Sequence, residues 1–547
     1  MFTENQRWTV RTLRIVLSFP ILMLSAWPAL AAPSAGEVIY LEKCAMCHLA
    51  AGEGAPPAFP PLAGSDWLLA DRTRTIRAVC EGLEGPIQVN GKLYNNVMPA
   101  QVLNDTQVAD VLTYVSNAWG NTAPAFNTDE VKEARKASRF PTFADLEKAS
   151  AYAPLQAAPA GWTLRELAPL PAMGSRLAGG QGGPVYVLGE RGTIFRLDSG
   201  TAIPWIFPAD YADLKQGILT TMGLTLDKDK RLWLVGNQRT SEGYDVDINR
   251  VTIWRSEPII GTDAPKFTPW FQTEYPWGVG PYNHGVSHLA FGPDGMLYVS
   301  SGSRTDGGEA GTTPRISTEG EVETTACLWQ LDPKAPAPRI KVIAHGLRNA
   351  YGFAWTSAGQ LFSVSNGPDA DSPEEMDVIL PGKHYGFPYQ FSNWPESPKP
   401  YPHTPDAPPD QTFTLPVRNQ GPAAGGDRLG GLATFDPHSS PAGMMWCGDD
   451  FPESVRGSFL VTRYGNLLPV PEDTGFDLLK VVPKQNKITG LWEASVTTLL
   501  SRLGRPIDVL SNGGGKVLIL EYTRPTDYKS RIGWLPGRVL ELAPAGK

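Results

Sequence analysis

The chain has 547 residues, of which 41% are hydrophobic and 19% are charged. Because a single hydrophobic core rarely serves more than about 250–300 residues, the length predicts more than one domain. The net charge of −8 and the lack of a long basic run make nucleic acid an unexpected partner. The 56 glycines and 51 prolines favour short strands and tight turns over long helices.

Residues 1–32 have the pattern of a secretory signal. Arg7, Arg11 and Arg14 precede an apolar run, and the small residues up to Ala31 suit signal peptidase. The alternative is a retained membrane anchor, although two prolines interrupt the run and its length is marginal for a bilayer span. We expect cleavage near Ala31 and export to the periplasm as a soluble protein.

The next motif, C-x-x-C-H, is formed by Cys44, Cys47 and His48. This spacing is typical of c-type haem, in which two thiols bind the porphyrin covalently and the adjacent imidazole ligates the iron. A zinc site would need two further ligands nearby, and a thioredoxin-like thiol pair would need a βαβ setting. Neither accompanies this motif, so the sequence favours haem c.

A low-spin haem needs a second axial ligand, for which Met98 is the candidate. It is followed by Pro99 in a stretch without helical periodicity. The alternative is a methionine that only fills the core. Residues 104–120 then show the apolar rhythm of an amphipathic helix, with Asn104 or Asp105 as its cap.

Residues 33–122 resemble a class I cytochrome c, a small all-α domain. The resemblance lies in the haem motif, the methionine loop and the helix that follows. Residues 123–160 contain one short helical pattern and a segment rich in alanine and proline, so we interpret them as a short helix and a linker. Cys80 has no role in this interpretation.

From Gly161 onward, one pattern recurs: an alternating apolar strand, a polar turn and a second tight strand. Four such hairpins are predicted, at 223–237, 288–302, 352–366 and 507–521. Leu226, Phe291 and Trp355 occupy equivalent positions about 65 residues apart, which suits one four-stranded sheet per repeat. Residues 161–547 therefore predict a mainly β fold, a six-bladed β-propeller, with five or seven blades as alternatives.

Polar side chains cluster beside two of these hairpins. His284 precedes the second hairpin, and Arg348 and Asn349 precede the third. Propeller loops converge at one end of the central channel, where binding sites form. Residues 346–353 and 366–388 resemble two motifs of the glucose/sorbosone dehydrogenase family, six-bladed propellers that bind pyrroloquinoline quinone (PQQ) and calcium.

This resemblance implies a role for each matching residue. His284 matches the catalytic base, which takes the hydroxyl proton of the substrate. Arg348 and Asn349 match residues that lie against the quinone, where a guanidinium stabilises developing negative charge. Gly367 and Pro368 match carbonyl donors to the calcium ion that the cofactor also ligates.

Further residues match the family more loosely. Arg463 and Arg505 match basic residues that bind the carboxylates of PQQ. A possible second calcium site is implied at Glu374, Glu375 and Tyr385.

The sequence also departs from the family. The aspartate that usually orients the base is replaced by Ser303, which leaves two alternatives: Asp306 takes its role, or His284 is oriented differently. Ile507 stands where the family has a second arginine.

The expected function is a periplasmic PQQ-dependent dehydrogenase of a sugar, sugar aldehyde or related alcohol or aldehyde. Electrons would pass through the chain's own haem c to a periplasmic or membrane-bound acceptor. Two other functions remain open: a calcium-dependent lactonase or esterase, and a non-catalytic propeller joined to an electron-transfer cytochrome. The sequence does not decide whether Cys327 and Cys447 form a disulfide. The proline-rich residues 392–427 either shape the substrate mouth or contact the cytochrome domain.

Overall fold

The protein is described by a computed structural model. The residues that it describes are 34–56, 59–83, 87–94, 98, 101, 103–136, 155–189, 191–240, 247–278, 283–309, 320–393, 399–466, 474–523 and 536–546. The signal sequence expected at residues 1–32 lies outside them. Within the described ranges, no helix is both long and apolar enough to cross a membrane.

The N-terminal domain is built mainly from helices. They are α1 (Ala35–Lys43), α2 (Ala45–His48), α3 (Asp66–Ala70), α4 (Arg72–Glu81), α5 (Asp105–Val115) and α6 (Thr128–Lys136). The first helix packs across α5, and α2 carries the haem motif. The core of this domain extends beyond residue 122, because Val131 and Ala134 of α6 are buried in it.

The amphipathic helix expected after Met98 is α5. The side chain of Asn104 accepts a hydrogen bond from the main chain of Gln107, and Gln107 returns one to Asn104. The helix buries its apolar face, including Val108 and Val111, in the core.

The domain also contains a hairpin, β1 (Ile87–Val89) and β2 (Lys92–Tyr94), which the all-α expectation omitted. The turn is Asn90-Gly91, and both residues have positive φ. This dipeptide is a strong hairpin signal, which the sequence interpretation overlooked.

In the described part of the chain, six sheets of three to five strands form the second domain, a six-bladed propeller. The first blade contains β4 (Gly174–Gly179), β5 (Val185–Gly189), β6 (Ile194–Asp198) and β7 (Thr201–Ile206). The second contains β8 (Ile218–Leu226), β9 (Leu232–Thr240), β10 (Ile248–Ser256) and β11 (Phe267–Pro276), preceded by 3-10 turns at Pro208–Asp210 and Leu214–Gln216. The third contains β12 (Val286–Phe291), β13 (Leu297–Ser301), β14 (Cys327–Leu331) and β15 (Lys341–His345), with β19 (Lys383–His384) at its edge.

The fourth blade contains β16 (Gly352–Trp355), β17 (Leu361–Ser365) and β18 (Glu375–Val378). The fifth contains β21 (Pro441–Cys447), β22 (Ser458–Arg463), β23 (Asp477–Gln485) and β24 (Trp492–Ser501), with β20 (Arg418–Pro422) at its edge. The short helix α7 (Gly426–Leu429) lies between β20 and β21. The sixth contains β25 (Pro506–Ser511), β26 (Val517–Glu521), β27 (Arg538–Pro544) and β3 (Trp162–Pro169).

The ring is closed by strand β3, which precedes the first blade in sequence but belongs to the last. It pairs antiparallel with β27, with Trp162 opposite Pro544. The four predicted hairpins are confirmed as the first two strands of the second, third, fourth and sixth blades. The expected fold, a propeller of six blades after a mainly helical cytochrome-like domain, is confirmed.

The first strands of the blades surround the centre of the ring, where neighbouring ones contact each other. We call the end at which these first strands begin the upper end. Because the strands of a blade alternate in direction, the connections between second and third strands also lie at the upper end. The predicted site residues fall in these two kinds of connection or beside them.

Candidate functional site

The N-terminal domain contains a partly open apolar cavity, and the free space in it and at its mouth is about 610 Å³. Its wall includes Cys44, His48 and Met98, together with side chains from α3, α4, α5 and the β1 strand. Three of the four residues that the sequence assigned to the haem site therefore line one cavity. The fourth, Cys47, lies on α2 beside His48 but is not part of the cavity wall. Cys80 lies outside the cavity wall and is half-buried against the domain core.

His48 is buried and held in one orientation. Its Nδ1 lies 2.9 Å from the carbonyl oxygen of Pro60. A carbonyl oxygen only accepts, so Nδ1 carries the proton and Nε2 has the lone pair that a metal needs. Burial lowers the pKa of His48, which favours the neutral imidazole. The chemistry of this cavity fits an iron porphyrin.

At the upper end of the propeller, His284 is held by Ser303. Nδ1 of His284 lies 3.1 Å from Oγ and 3.2 Å from the carbonyl oxygen of Ser303. The Ser303 hydroxyl donates to the carbonyl oxygen of Thr305 at 2.7 Å, so its Oγ accepts from His284. Nδ1 therefore carries the proton, and Nε2 is the nitrogen suited to act as a base.

Asp306 does not orient His284, which settles one of the two alternatives raised by the missing family aspartate. Its carboxylate instead forms a buried ion pair with Arg348. Nε of Arg348 also donates to the carbonyl oxygen of Asp306 at 3.1 Å, and Nη1 donates to that of Asn366 at 3.2 Å. The Tyr401 hydroxyl donates to the same carboxylate, so the proline-rich segment reaches this site.

Two features bring His284 and Arg348 together. The main-chain N–H of Ser303 donates to the carbonyl oxygen of Arg348 at 2.6 Å. At Gly302, an added Cβ would lie 2.5 Å from Cβ of His284 and 3.4 Å from Oδ1 of Asn349. Only glycine therefore lets these loops of the third and fourth blades approach so closely.

Three buried amide oxygens flank this arrangement, on Asn283, Asn349 and Asn366. None of them has a hydrogen-bond partner among the described residues. Buried polar atoms are rarely left unpaired, because each costs free energy. These oxygens indicate that the upper end is built to meet a polar ligand.

The connection before β18 holds the predicted calcium donors Gly367 and Pro368. The N–H of Gly367 donates to Glu374 at 2.7 Å, so this carboxylate fixes the loop. The Tyr385 hydroxyl is occupied by the main chain, donating to Val378 at 2.6 Å and accepting from Leu380 at 2.7 Å. The side chains of Glu374 and Tyr385 thus have structural partners.

A different pair of carboxylates in β18 stands out, Glu375 and Asp377. Both are buried, and one oxygen of Glu375 and both oxygens of Asp377 have no partner in the described part of the protein. Burial raises the pKa of Asp377 to about 8, and burial with the neighbouring Asp377 raises the pKa of Glu375. Asp377 was missed at the sequence level, although its spacing from Glu375 places both on one face of a strand.

The two predicted cofactor arginines of the fifth and sixth blades are buried. Arg463 forms a two-pronged ion pair with Asp477, at 3.0 and 2.8 Å, and contacts Asp436 at 3.1 Å. Arg505 donates to the carbonyl oxygen of Asn466 at 3.1 Å and lies over the rings of Tyr464 and Phe476.

The sequence interpretation missed Arg176, which crosses the centre of the ring. It pairs with Asp508 at 3.4 Å and donates to Met222 at 3.0 Å. It also donates to the carbonyl oxygens of Ser287 and Tyr351. Arg176, in the first blade, thus ties the residues just after His284 and just after Arg348 to the second and sixth blades.

The thiols of Cys327 and Cys447 are free and fully buried in different hydrophobic clusters. They do not form the disulfide considered from the sequence, because their blades place them in separate cores.

The fold and the two sites define a class of protein: a β-propeller with a polar upper site, joined to a cytochrome domain. Residues 33–119 match the family model described as Cytochrome c, and residues 223–418 match the one described as Glucose / Sorbosone dehydrogenase. The chain therefore carries a cytochrome c domain, and the propeller that follows it matches the glucose/sorbosone dehydrogenase family model over its central part. This match supports an oxidoreductase function for the propeller.

Individual relatives cover the two domains separately. Cytochrome c-552 of Thermus thermophilus is 39% identical over 110 residues, which cover 18% of this chain and 83% of that protein. The cytochrome c subunit of a quinone alcohol dehydrogenase from Gluconobacter oxydans is 35% identical over 95 residues, which cover 17% of this chain and 20% of the subunit. The PQQ-bound aldose sugar dehydrogenase of Streptomyces coelicolor has a TM-score of 0.47 and 21% identity, covering 71% of this chain and 99% of that one.

Proposed function

We propose that this protein is an exported PQQ-dependent dehydrogenase of a sugar, a sugar aldehyde or a related alcohol or aldehyde. Its electrons pass through its own haem c to an external periplasmic or membrane-bound acceptor. The observation that carries this proposal is the upper site, where His284 with a fixed tautomer, Arg348 and three unpartnered amide oxygens meet. A cavity suited to haem lies in the same chain.

In this proposal His284 is the general base. Nε2 takes the proton of the substrate hydroxyl, while Ser303 holds the protonated Nδ1 and stabilises the imidazolium that forms. PQQ, when bound, supplies the carbonyl that accepts the hydride. The Arg348 guanidinium, which is paired with Asp306, donates to the main chain of Asn366 and would offer its remaining N–H groups to the developing negative charge.

Other residues would hold the cofactor and its metal. Arg505 would supply buried positive charge for a tricarboxylate, since guanidinium pairs with carboxylate through several hydrogen bonds. Arg463, which already pairs with Asp477 and Asp436, would contribute only its remaining N–H groups. The carbonyl groups of Gly367 and Pro368 would ligate calcium, which prefers hard oxygen donors. The unpartnered amide oxygen of Asn366 next to them suits the same ion.

A second calcium ion would bind at Glu375 and Asp377, rather than through the side chains of Glu374 and Tyr385. Two adjacent buried carboxylates repel each other unless they share protons or a cation. A bound divalent cation would satisfy the three oxygens that lack partners.

In the cytochrome domain, Cys44 and Cys47 would attach the porphyrin, with His48 and Met98 as the axial ligands of iron. The tether keeps this one-electron acceptor at a high effective concentration beside the propeller.

The test uses the matured, haem-loaded chain supplied with PQQ and calcium. Aldoses, sugar aldehydes and alcohols are added, and the absorption bands of reduced haem are followed. We expect reduction with at least one substrate, and a fall of about 10²–10⁴-fold in the rate for His284→Gln. His438→Gln, which alters a histidine bonded to Asp371, is the matched control. Substrate-independent haem spectra despite bound PQQ would contradict the proposal, and lactone hydrolysis without PQQ would favour a hydrolase.

A further inference from the structure

Among the described residues, Ile218 of the propeller contacts the cytochrome domain. The side chain of Ile218 packs against the hydrophobic core cluster of the cytochrome domain. Arg191 precedes Gly192, where an added Cβ would lie 3.3 Å from Oγ1 of Thr221, three residues after Ile218 in β8. Arg191 therefore lies beside the strand end that contacts the cytochrome core.

Both residues lie at the upper end of the propeller. Ile218 is the first residue of β8, the innermost strand of the second blade. Arg191 lies in the connection between β5 and β6, the second and third strands of the first blade. His284 immediately precedes the innermost strand of the third blade, so the contact and the candidate site share one end of the ring.

The connection that carries Arg191 is anchored. The hydroxyl of buried Tyr211 donates to the carbonyl oxygen of Gly192 at 2.8 Å. An added Cβ at Gly192 would lie 2.3 Å from that hydroxyl oxygen. This packing holds the turn against the first blade, so the main chain at Arg191 is fixed in position.

We propose that Arg191 and Ile218 form the docking surface on which the cytochrome domain receives electrons from the propeller. This inference rests on the proposed function. Ile218 supplies apolar contact, and Arg191 places a cation beside that contact. A cation there favours the ferrous haem, because reduction removes one positive charge from the iron.

The electron balance requires two passages across this surface. Oxidation of one substrate molecule releases two electrons and two protons. Ferric haem takes one electron, an external one-electron acceptor such as ferricyanide reoxidises the ferrous haem, and the second electron follows. The protons leave to solvent.

The experiment compares Arg191→Glu and Ile218→Asn in the complete holoprotein. Stopped-flow absorbance measures haem reduction by substrate, and the reduction of dichlorophenolindophenol with phenazine methosulfate measures turnover in the propeller. We expect haem reduction to slow by about tenfold or more, the effect of losing one moderate contact, while dye reduction is unchanged. Spectroelectrochemical titration of Arg191→Glu should also give a lower haem reduction potential.

Matched controls lie at the opposite end of the propeller, in connections between third and fourth strands. Arg339→Glu and Ile260→Asn change exposed residues there and should leave every measurement at its wild-type value. Wild-type haem reduction rates and potentials in both docking variants would overturn the inference. Loss of dye reduction in the wild type would instead refute the proposed function, and the potential measurement, which needs no substrate, would still test the docking.

Discussion

From the hydrogen bond between Ser303 and His284 we predict how strongly the activity of His284 as a base depends on Ser303. In Ser303→Ala, Nδ1 of His284 loses the acceptor at 3.1 Å and keeps the carbonyl oxygen at 3.2 Å. The carbonyl oxygen of Thr305 also loses its donor. A hydrogen bond of this kind contributes about 0.5–1.5 kcal/mol, so kcat/KM should fall about 2- to 10-fold.

Ser303→Asp tests the same contact with the opposite sign. A carboxylate beside Nδ1 favours the imidazolium, so the acid limb of the pH–rate profile should move to higher pH by about one unit or more. Steady-state kinetics of haem reduction over a range of pH measure both variants.

Ser458→Ala is the matched control, because this buried serine also donates to a nearby main-chain carbonyl but lies at the far end of its blade. It should leave kcat/KM and the pH profile unchanged. Full activity and an unshifted profile in both Ser303 variants, with intact cofactor content and melting temperature, would refute the role of Ser303 as the support of His284.

Two further predictions concern stability. Burial raises the pKa of Asp377 from 3.8 to about 8. Between about pH 4 and 8 the folded protein therefore binds more protons than the unfolded chain. The free energy of unfolding should fall as the pH rises through that window. Thermal melting should show that calcium stabilises the wild type more at pH 8 than at about pH 5. Asp377→Asn should remove the calcium effect and lessen the decline, which Glu375 keeps in part because burial also raises its pKa. Equal calcium effects in the two proteins would exclude this site. Arg176→Met leaves Asp508 buried without its cation, so chemical denaturation should show that the free energy of unfolding falls by about 3–5 kcal/mol. Adding Asp508→Asn should restore part of this stability. A fall below about 1 kcal/mol would show that the pair does not hold the blades together.

Several features were predictable from the sequence because their chemistry is local. The haem motif needs two thiols and an imidazole at fixed spacing on one short helix, and Cys44 and His48 meet that need within α2 and its cap. Alternating apolar residues and turn residues predict the hairpins, and the spacing between the hairpins predicts the number of blades. The overlooked hairpin at Asn90 shows that even a clear local signal is missed when the surrounding domain is expected to be helical.

Other features depended on residues far apart in the chain. Asp306 pairs with Arg348, 42 residues away, instead of orienting His284, and Tyr401 joins that pair from 95 residues away. No spacing rule predicts these contacts, because they arise only when neighbouring blades pack side by side.

What the sequence by itself determined is therefore the class of each domain and the residue types available for chemistry, since strand alternation and motif spacing are properties of a continuous segment. Only the tertiary structure decided that Ser303 supports His284, that Glu375 and Asp377 form a buried acidic pair, and that Arg176 bridges the centre. Closure of the ring determines which buried charged groups become partners. In a low-dielectric interior, a charged group with a partner and one without it differ strongly in their effect on stability.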